Sequence, residues 1–186
     1  MSELDTDKIY PYVVPGTYVP DWEDGSFVSW RFMHDLEVML VSDLGHTVSS
    51  VHPKNLEQIG MADDEAWDIA FRNLNNDWAD GRMSVNVLKG DEGERCLVVE
   101  NHWSAAATIL LPSMQQVAAE RLGGPDFFAF IPDTSFLLFF QKKRSPKLKN
   151  TLDRIISDRS ALFRKRLTQK LFLFGESGIA ESEDSW

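Results

Sequence analysis

One cysteine, Cys96, stands among 186 residues. An intramolecular disulfide is excluded, and so is any zinc site built from several thiolates. A reducing compartment is the expectation. Long apolar runs are missing too. Phe127 to Phe140 is interrupted by Pro132-Asp133, and Ala105 to Leu111 is far too short to span a bilayer. The opening residues, Met1-Ser2-Glu3-Leu4-Asp5-Thr6-Asp7, are acidic and lack the basic and apolar regions of a signal peptide. Together these absences predict a cytoplasmic protein with no membrane association.

Positive charge is scarce and unevenly placed. Lys and Arg number 19 against 29 acids, a formal net charge of −10. Residues 142–170 hold eleven of the bases beside only Asp153 and Asp158, a local +9, which leaves −19 elsewhere. A surface of that sign is repelled by phosphate backbones, which argues against general nucleic-acid binding. The basic segment reads as the solvated face of a C-terminal helix.

What is present suits one globular domain. The chain is 43% hydrophobic and 11% aromatic, and a chain of this size buries roughly 70% of its unfolded surface. Residues 1–25 carry Pro11, Pro15, Gly16, Pro20 and Gly25, which predicts an arm of short extended pieces. Residues 26–175 form the α+β domain, and 176–186 read as a flexible acidic tail.

Within the domain the periodicity changes several times. Phe27 to Phe32, Leu36 to Val41 and Thr47 to Val51 have strand composition. Asn55 is expected to cap a short helix, Leu56 to Ile59, stopped by Gly60. Asp63 is the expected cap of a longer helix with Ala66, Trp67, Ala70, Phe71, Leu74 and Trp78 on one face. Strands are predicted at Met83 to Leu88, Arg95 to Glu100 and Ala105 to Leu111, and a helix at Ser113 to Leu122. Phe127 to Ile131 and Phe136 to Phe140 read as a hairpin buried on both faces. A helix from Pro146 and an edge strand, Lys170 to Phe174, close the order. Helices alternate with strand pairs, so the expected fold is α+β: a mixed, mainly antiparallel sheet carrying three to four helices.

No catalytic constellation stands out. Gly90-Asp91-Glu92-Gly93 has no Lys-Ser/Thr and places two acids where a phosphate would sit, so it reads as a turn. Gly175-Glu176-Ser177-Gly178 lacks the spacing of a nucleophile elbow. Cys96 and His102 would lie roughly 20 Å apart along a continued strand, so Cys96 reads as buried and inert. His34, His46, His52 and His102 show no helical i, i+4 pair. A metal site would need Asp35, Glu37 or Asp43 to join His46 and His52 by folding, and each histidine reads as a partly exposed surface group. No cofactor, metal ligand or catalytic residue is assigned. The remaining signals are acidic and aromatic. Asp63, Asp64, Glu65 and Asp68 crowd the first turns of the long helix, and Trp22, Trp30 and Trp103 lie near acids and turns. Acid-rimmed tryptophans suit a protein interface.

One stretch carries a family resemblance. Asn55-Leu56-Glu57-Gln58-Ile59-Gly60-Met61, then Asp64-Glu65-Ala66-Trp67 and Ala70-Phe71-Arg72-Asn73-Leu74, resembles a segment of the bacterial YtpQ-like family (DUF1444). Gly124-Pro125-Asp126-Phe127-Phe128-Ala129-Phe130-Ile131-Pro132-Asp133 with Phe136 to Phe140, and Leu167-Thr168-Gln169-Lys170-Leu171-Phe172, extend the likeness over residues 35–175. The resemblance implies an α+β fold, a bacterial source and a cytoplasmic location. It implies no activity.

The expected function is non-enzymatic: an acidic protein-binding domain, of the kind that serves as an immunity protein and neutralises a basic toxin by occlusion. The candidate contacts are Asp63, Asp64, Glu65, Asp68 and Trp22. The alternatives are an adaptor contacted through residues 142–170 and, last, a small enzyme.

Overall fold

Two antiparallel sheets share one core. The computed structural model describes residues 4–18, 26–33, 35–143, 145–160 and 167–186. The larger sheet is assembled from the densest apolar runs. It contains β5 (Ser84–Lys89), β6 (Arg95–Glu100), β7 (Phe127–Asp133), β8 (Phe136–Gln141), β9 (Lys170–Gly175) and β10 (Gly178–Ser185), in the spatial order β10-β9-β7-β8-β6-β5. Successive side chains in a strand point to opposite faces, and here both faces are covered. Leu97, Val99, Phe127, Ala129, Phe139 and Phe172 face the main core. Their neighbours Cys96, Val98, Phe128, Phe130, Phe140 and Leu171 face a second core. That double coverage is why these strands read as continuous apolar runs rather than as an alternation.

The smaller sheet centres on β3 (Leu36–Asp43). It pairs on one side with β1 (Ile9–Pro15) and on the other with β2 (Ser29–Arg31) and β4 (Val48–Ser50). The register runs from Ile9 opposite Ser42 to Pro15 opposite Leu36. Val13, Val38 and Met39 join the main core, while Ile9 and Leu40 join a third cluster beneath α1 (Pro53–Ile59) and α2 (Asp63–Ala79), with Leu56, Ala66 and Ala70. From α3 (Pro112–Leu122), Met114 and Ala118 pack into the main core. From α4 (Pro146–Ser160), Leu148 and Leu152 pack on the second. The class is α+β, as the order of elements predicts, with the strands divided between two sheets.

Several local expectations are corrected. Ala105–Leu110 is a 3₁₀ helix, not a strand. Three alanines give a strand little to pack, and Thr108 Oγ1 donates to the Ala105 carbonyl at 2.7 Å, which suits a tight helical turn. Within the expected arm of short extended pieces, Ile9–Pro15 is a largely buried strand. Its prolines are tolerated because β1 lies at the edge of its sheet, with no second ladder to feed among the described residues. The C-terminal segment is not frayed either. β10 pairs with β9, so β9 is an interior strand, and Trp186 stacks on Phe130 at 4.8 Å. Each helix on the smaller sheet starts earlier than expected. Ala62 is the N-cap of α2 and Asp63 its first residue. His52 is the N-cap of α1, with Pro53 at the first position, and Asn55 Oδ1 accepts from the His52 N–H at 2.9 Å.

Candidate functional site

The amino end of α2 carries the acids that the sequence singled out. Asp63, Asp64, Glu65 and Asp68 are all exposed. Three of them occupy the first turn, where the helix dipole and unpaired N–H groups favour negative charge. Asp64 Oδ1 accepts from the Glu65 N–H at 2.9 Å. None of the four forms an ion pair with another described residue. Asp64 and Asp68 are one turn apart, a like-charge spacing that slightly destabilises a helix. Trp22 lies outside the described residues.

A different tryptophan stands beside the acids. Asp63 and Asp64 precede Trp67 by four and three residues, so they share its side of the helix. Trp67 meets Trp30 of β2 edge-on at 6.2 Å and stacks with Phe71 at 5.9 Å. Trp30 also meets Phe32 edge-on at 5.7 Å, and it keeps 36% of its surface exposed. An aromatic ridge from both elements therefore emerges on the side of the helix that carries Asp63 and Asp64. The sequence had singled out Trp30 by its place near acids and turns.

The opposite end of α2 holds a buried polar network that sequence reasoning missed. Asp77 continues the buried stripe of Ala66, Ala70 and Leu74 yet is a carboxylate, only 6% exposed. Its Oδ1 accepts from Arg82 Nη1 at 2.8 Å, and its Oδ2 lies 3.2 Å from His102 Nε2. The Ser104 N–H donates to His102 Nδ1 at 3.2 Å. That bond makes Nε2 the protonated nitrogen, so Nε2–H donates to Asp77. Burial of His102 holds its pKa below the usual value, against the pull of Asp77 in the other direction. The ring is therefore neutral near pH 7. Tyr10 lies against the same carboxylate, and burial, aided by Asp77, pushes its hydroxyl pKa well up. The network ties α2, β1 and the turn after β6 together. His102, expected at the surface, is 7% exposed at its side chain.

The other candidates separate. His52 Nδ1 is 2.6 Å from the Ser26 carbonyl oxygen, His46 is exposed, and His34 lies outside the described residues. Among the described residues no group of three His, Cys, Asp or Glu side chains is placed to hold a metal ion. Cys96 is fully buried in the second core. Residues 90–93 form the β5–β6 hairpin turn, closed by the Gly90 N–H donating to the Glu94 carbonyl at 2.8 Å. The basic segment is partly neutralised: Lys147 pairs with Asp91, Lys149 with Asp153 at 2.9 Å, and Lys142 with Asp126 at 3.8 Å. Arg164, Lys165 and Arg166 lie outside the described residues. No helix among the described residues is long and apolar enough to cross a membrane. No family model, curated protein or solved structure matches the chain.

Proposed function

We propose that the chain is a non-catalytic protein-binding domain whose docking face is the amino end of α2 with the Trp30–Trp67 ridge, and that its partner is a basic protein. The observation that supports this is the exposed Trp30, in edge-on contact with Trp67 of the helix that carries Asp63, Asp64, Glu65 and Asp68, none of which is ion-paired with another described residue. An aromatic anchor rimmed by charge combines a desolvated contact with steering of the encounter. The helix tolerates the Asp64–Asp68 repulsion, and a cationic partner relieves it. A bacterial immunity protein that covers a basic toxin in the cytoplasm is the biological role that fits this chemistry, and the likeness to the YtpQ-like family accords with a bacterial source.

The test starts with the tagged chain and a partner purified with it from the source bacterium at low salt. Association is then measured by surface plasmon resonance for the parent, for Asp64→Lys with Asp68→Lys, and for Trp30→Ala. The charge reversals are expected to slow association at least about tenfold at low salt and less at high salt. Trp30→Ala is expected to speed dissociation, with a loss of about 2 kcal/mol or more in affinity. Unchanged kinetics in both variants would remove this face from the interface.

A further inference from the structure

A polar cleft lies away from that ridge, between the chain's first turn, the β3–β4 connection and the start of α1. Its volume is about 900 Å³, and Tyr10 and Arg82 stand in its wall. That is at the upper end of the range of small-molecule sites, about 300–1,000 Å³. The lining decides which chemistry it suits. Two cations face it, Lys8 and Arg82, and both are committed. Lys8 Nζ is 3.0 Å from Asp5. Arg82 is shared between buried Asp77 at 2.8 Å and Asp80 at 3.6 Å. Two lining carboxylates remain available. Asp7 forms no side-chain bond with another described residue, and Asp43 uses Oδ1 to accept from the Gly45 N–H at 2.7 Å. The hydroxyls of Ser42, Ser49 and Ser50 add acceptors to the lining, and Leu44, 57% exposed, gives it an apolar residue.

We infer that this cleft binds an alkylammonium or guanidinium group, its charge between Asp7 and Asp43 and its alkyl stem along Leu44. A compact cation with several N–H donors satisfies both carboxylates and the hydroxyls together. The apolar stem of such a group packs on an exposed leucine while its head stays solvated. An anion is disfavoured, because Lys8 and Arg82 already face carboxylates and the lining sets three acids, Asp5, Asp7 and Asp43, against these two cations. The same head group occurs on a free diamine and on a lysine or arginine side chain of a bound protein. The site stands apart from the α2 docking face, so it can fail without that reading failing.

The experiment is an amide NMR titration of the full chain at about 0.15 M salt. The probes are 1,5-diaminopentane, Nα-acetyl-arginine methylamide and a short Lys/Arg-rich peptide, with 1,5-pentanediol as the neutral control. Saturable shifts at Ser42 to Gly45, Ser49, Ser50 and Asn55 are expected, absent with the diol. Asp43→Asn keeps the bond to Gly45, and exposed Asp7→Asn leaves the fold intact. Each is expected to weaken binding at least about fivefold. Saturation by the diamine identifies a free small cation as the source; saturation by the peptide or the arginine amide alone identifies a partner side chain. No saturable shift at these residues with any probe, or equal affinity in both variants, overturns the assignment.

Discussion

Replacing Asp77 by alanine removes the acceptor on which a buried network converges. The side chain is 9% exposed, and three donors surround it: Arg82, His102 and Tyr10. Arg82 is 63% exposed at its side chain and rehydrates at little cost. His102 and Tyr10, each about 7% exposed, cannot. A buried donor left without an acceptor costs about 1–3 kcal/mol, so two stranded donors predict a loss of about 2–6 kcal/mol. Asp77→Asn keeps one acceptor oxygen but turns an N–H group toward a donor, and about 1–3 kcal/mol is expected. The assay is urea unfolding followed by tryptophan fluorescence, with the midpoint falling at unchanged slope. A double-mutant cycle with His102→Ala sharpens it. The two changes share one bond, so together they should cost less than the sum. A loss below about 1 kcal/mol for Asp77→Ala, or strict additivity in the cycle, would refute the claim that this carboxylate anchors the network.

Further predictions address pH, the core and the two termini. The folded pKa of His102 lies below its unfolded value near 6.5. Below that pH the unfolded state binds more protons, so stability is full above about 6.5 and declines as pH falls toward the folded pKa; unfolding at stepped pH should show this slope, and His102→Gln should flatten it. Phe139 is fully buried and meets Phe127 edge-on at 5.7 Å and Phe174 at 5.9 Å, so Phe139→Ala should cost about 3–5 kcal/mol in the same urea assay. Trp186 donates from Nε1 to Asp153 at 2.7 Å, and Trp186→Ala should cost about 1–3 kcal/mol, where a frayed tail would show no change. A Cβ on Gly16 would stand 2.6 Å from the Asp35 carbonyl oxygen, so Gly16→Ala should lower the melting temperature by several degrees in calorimetry.

The larger sheet was legible because its strands are long, apolar and joined by turns with clear chemistry. Phe127 to Phe140 reads as a hairpin from Pro132-Asp133-Thr134 alone, and Asp133 Oδ1 accepts from the Ser135 N–H at 2.9 Å to close it. The stripe of α2 was equally plain. Where composition misled, a tertiary partner had overruled it. Pro11 and Pro15 argue against a strand until β1 is known to pair, among the described residues, with β3 alone. Ala105 to Leu111 is apolar enough for a strand, but Ala106 donates to the Thr134 carbonyl at 2.9 Å and holds the segment as a buried helical turn. At the site, the acids of α2 could be read and their exposure anticipated. The pairing of Trp30 with Trp67 spans 37 positions and leaves no local trace. The Asp77–His102 bond spans 25 residues, and its one local sign was a carboxylate on a buried helical face.

The strand order of the larger sheet has a consequence for synthesis. β7 is flanked by β8, which follows at once, and by β9, which follows roughly forty residues later. During translation at ~5–20 residues per second, β7 therefore waits for seconds with one edge open. That edge displays Phe127, Phe128 and Phe130, which β9 covers with Phe174, Leu173 and Leu171. An open, flat aromatic edge is a template for pairing with another chain. The nascent protein is thus expected to demand chaperone occupancy in the interval between β8 and β9, and slow codons placed in α4 would lengthen its exposure to aggregation.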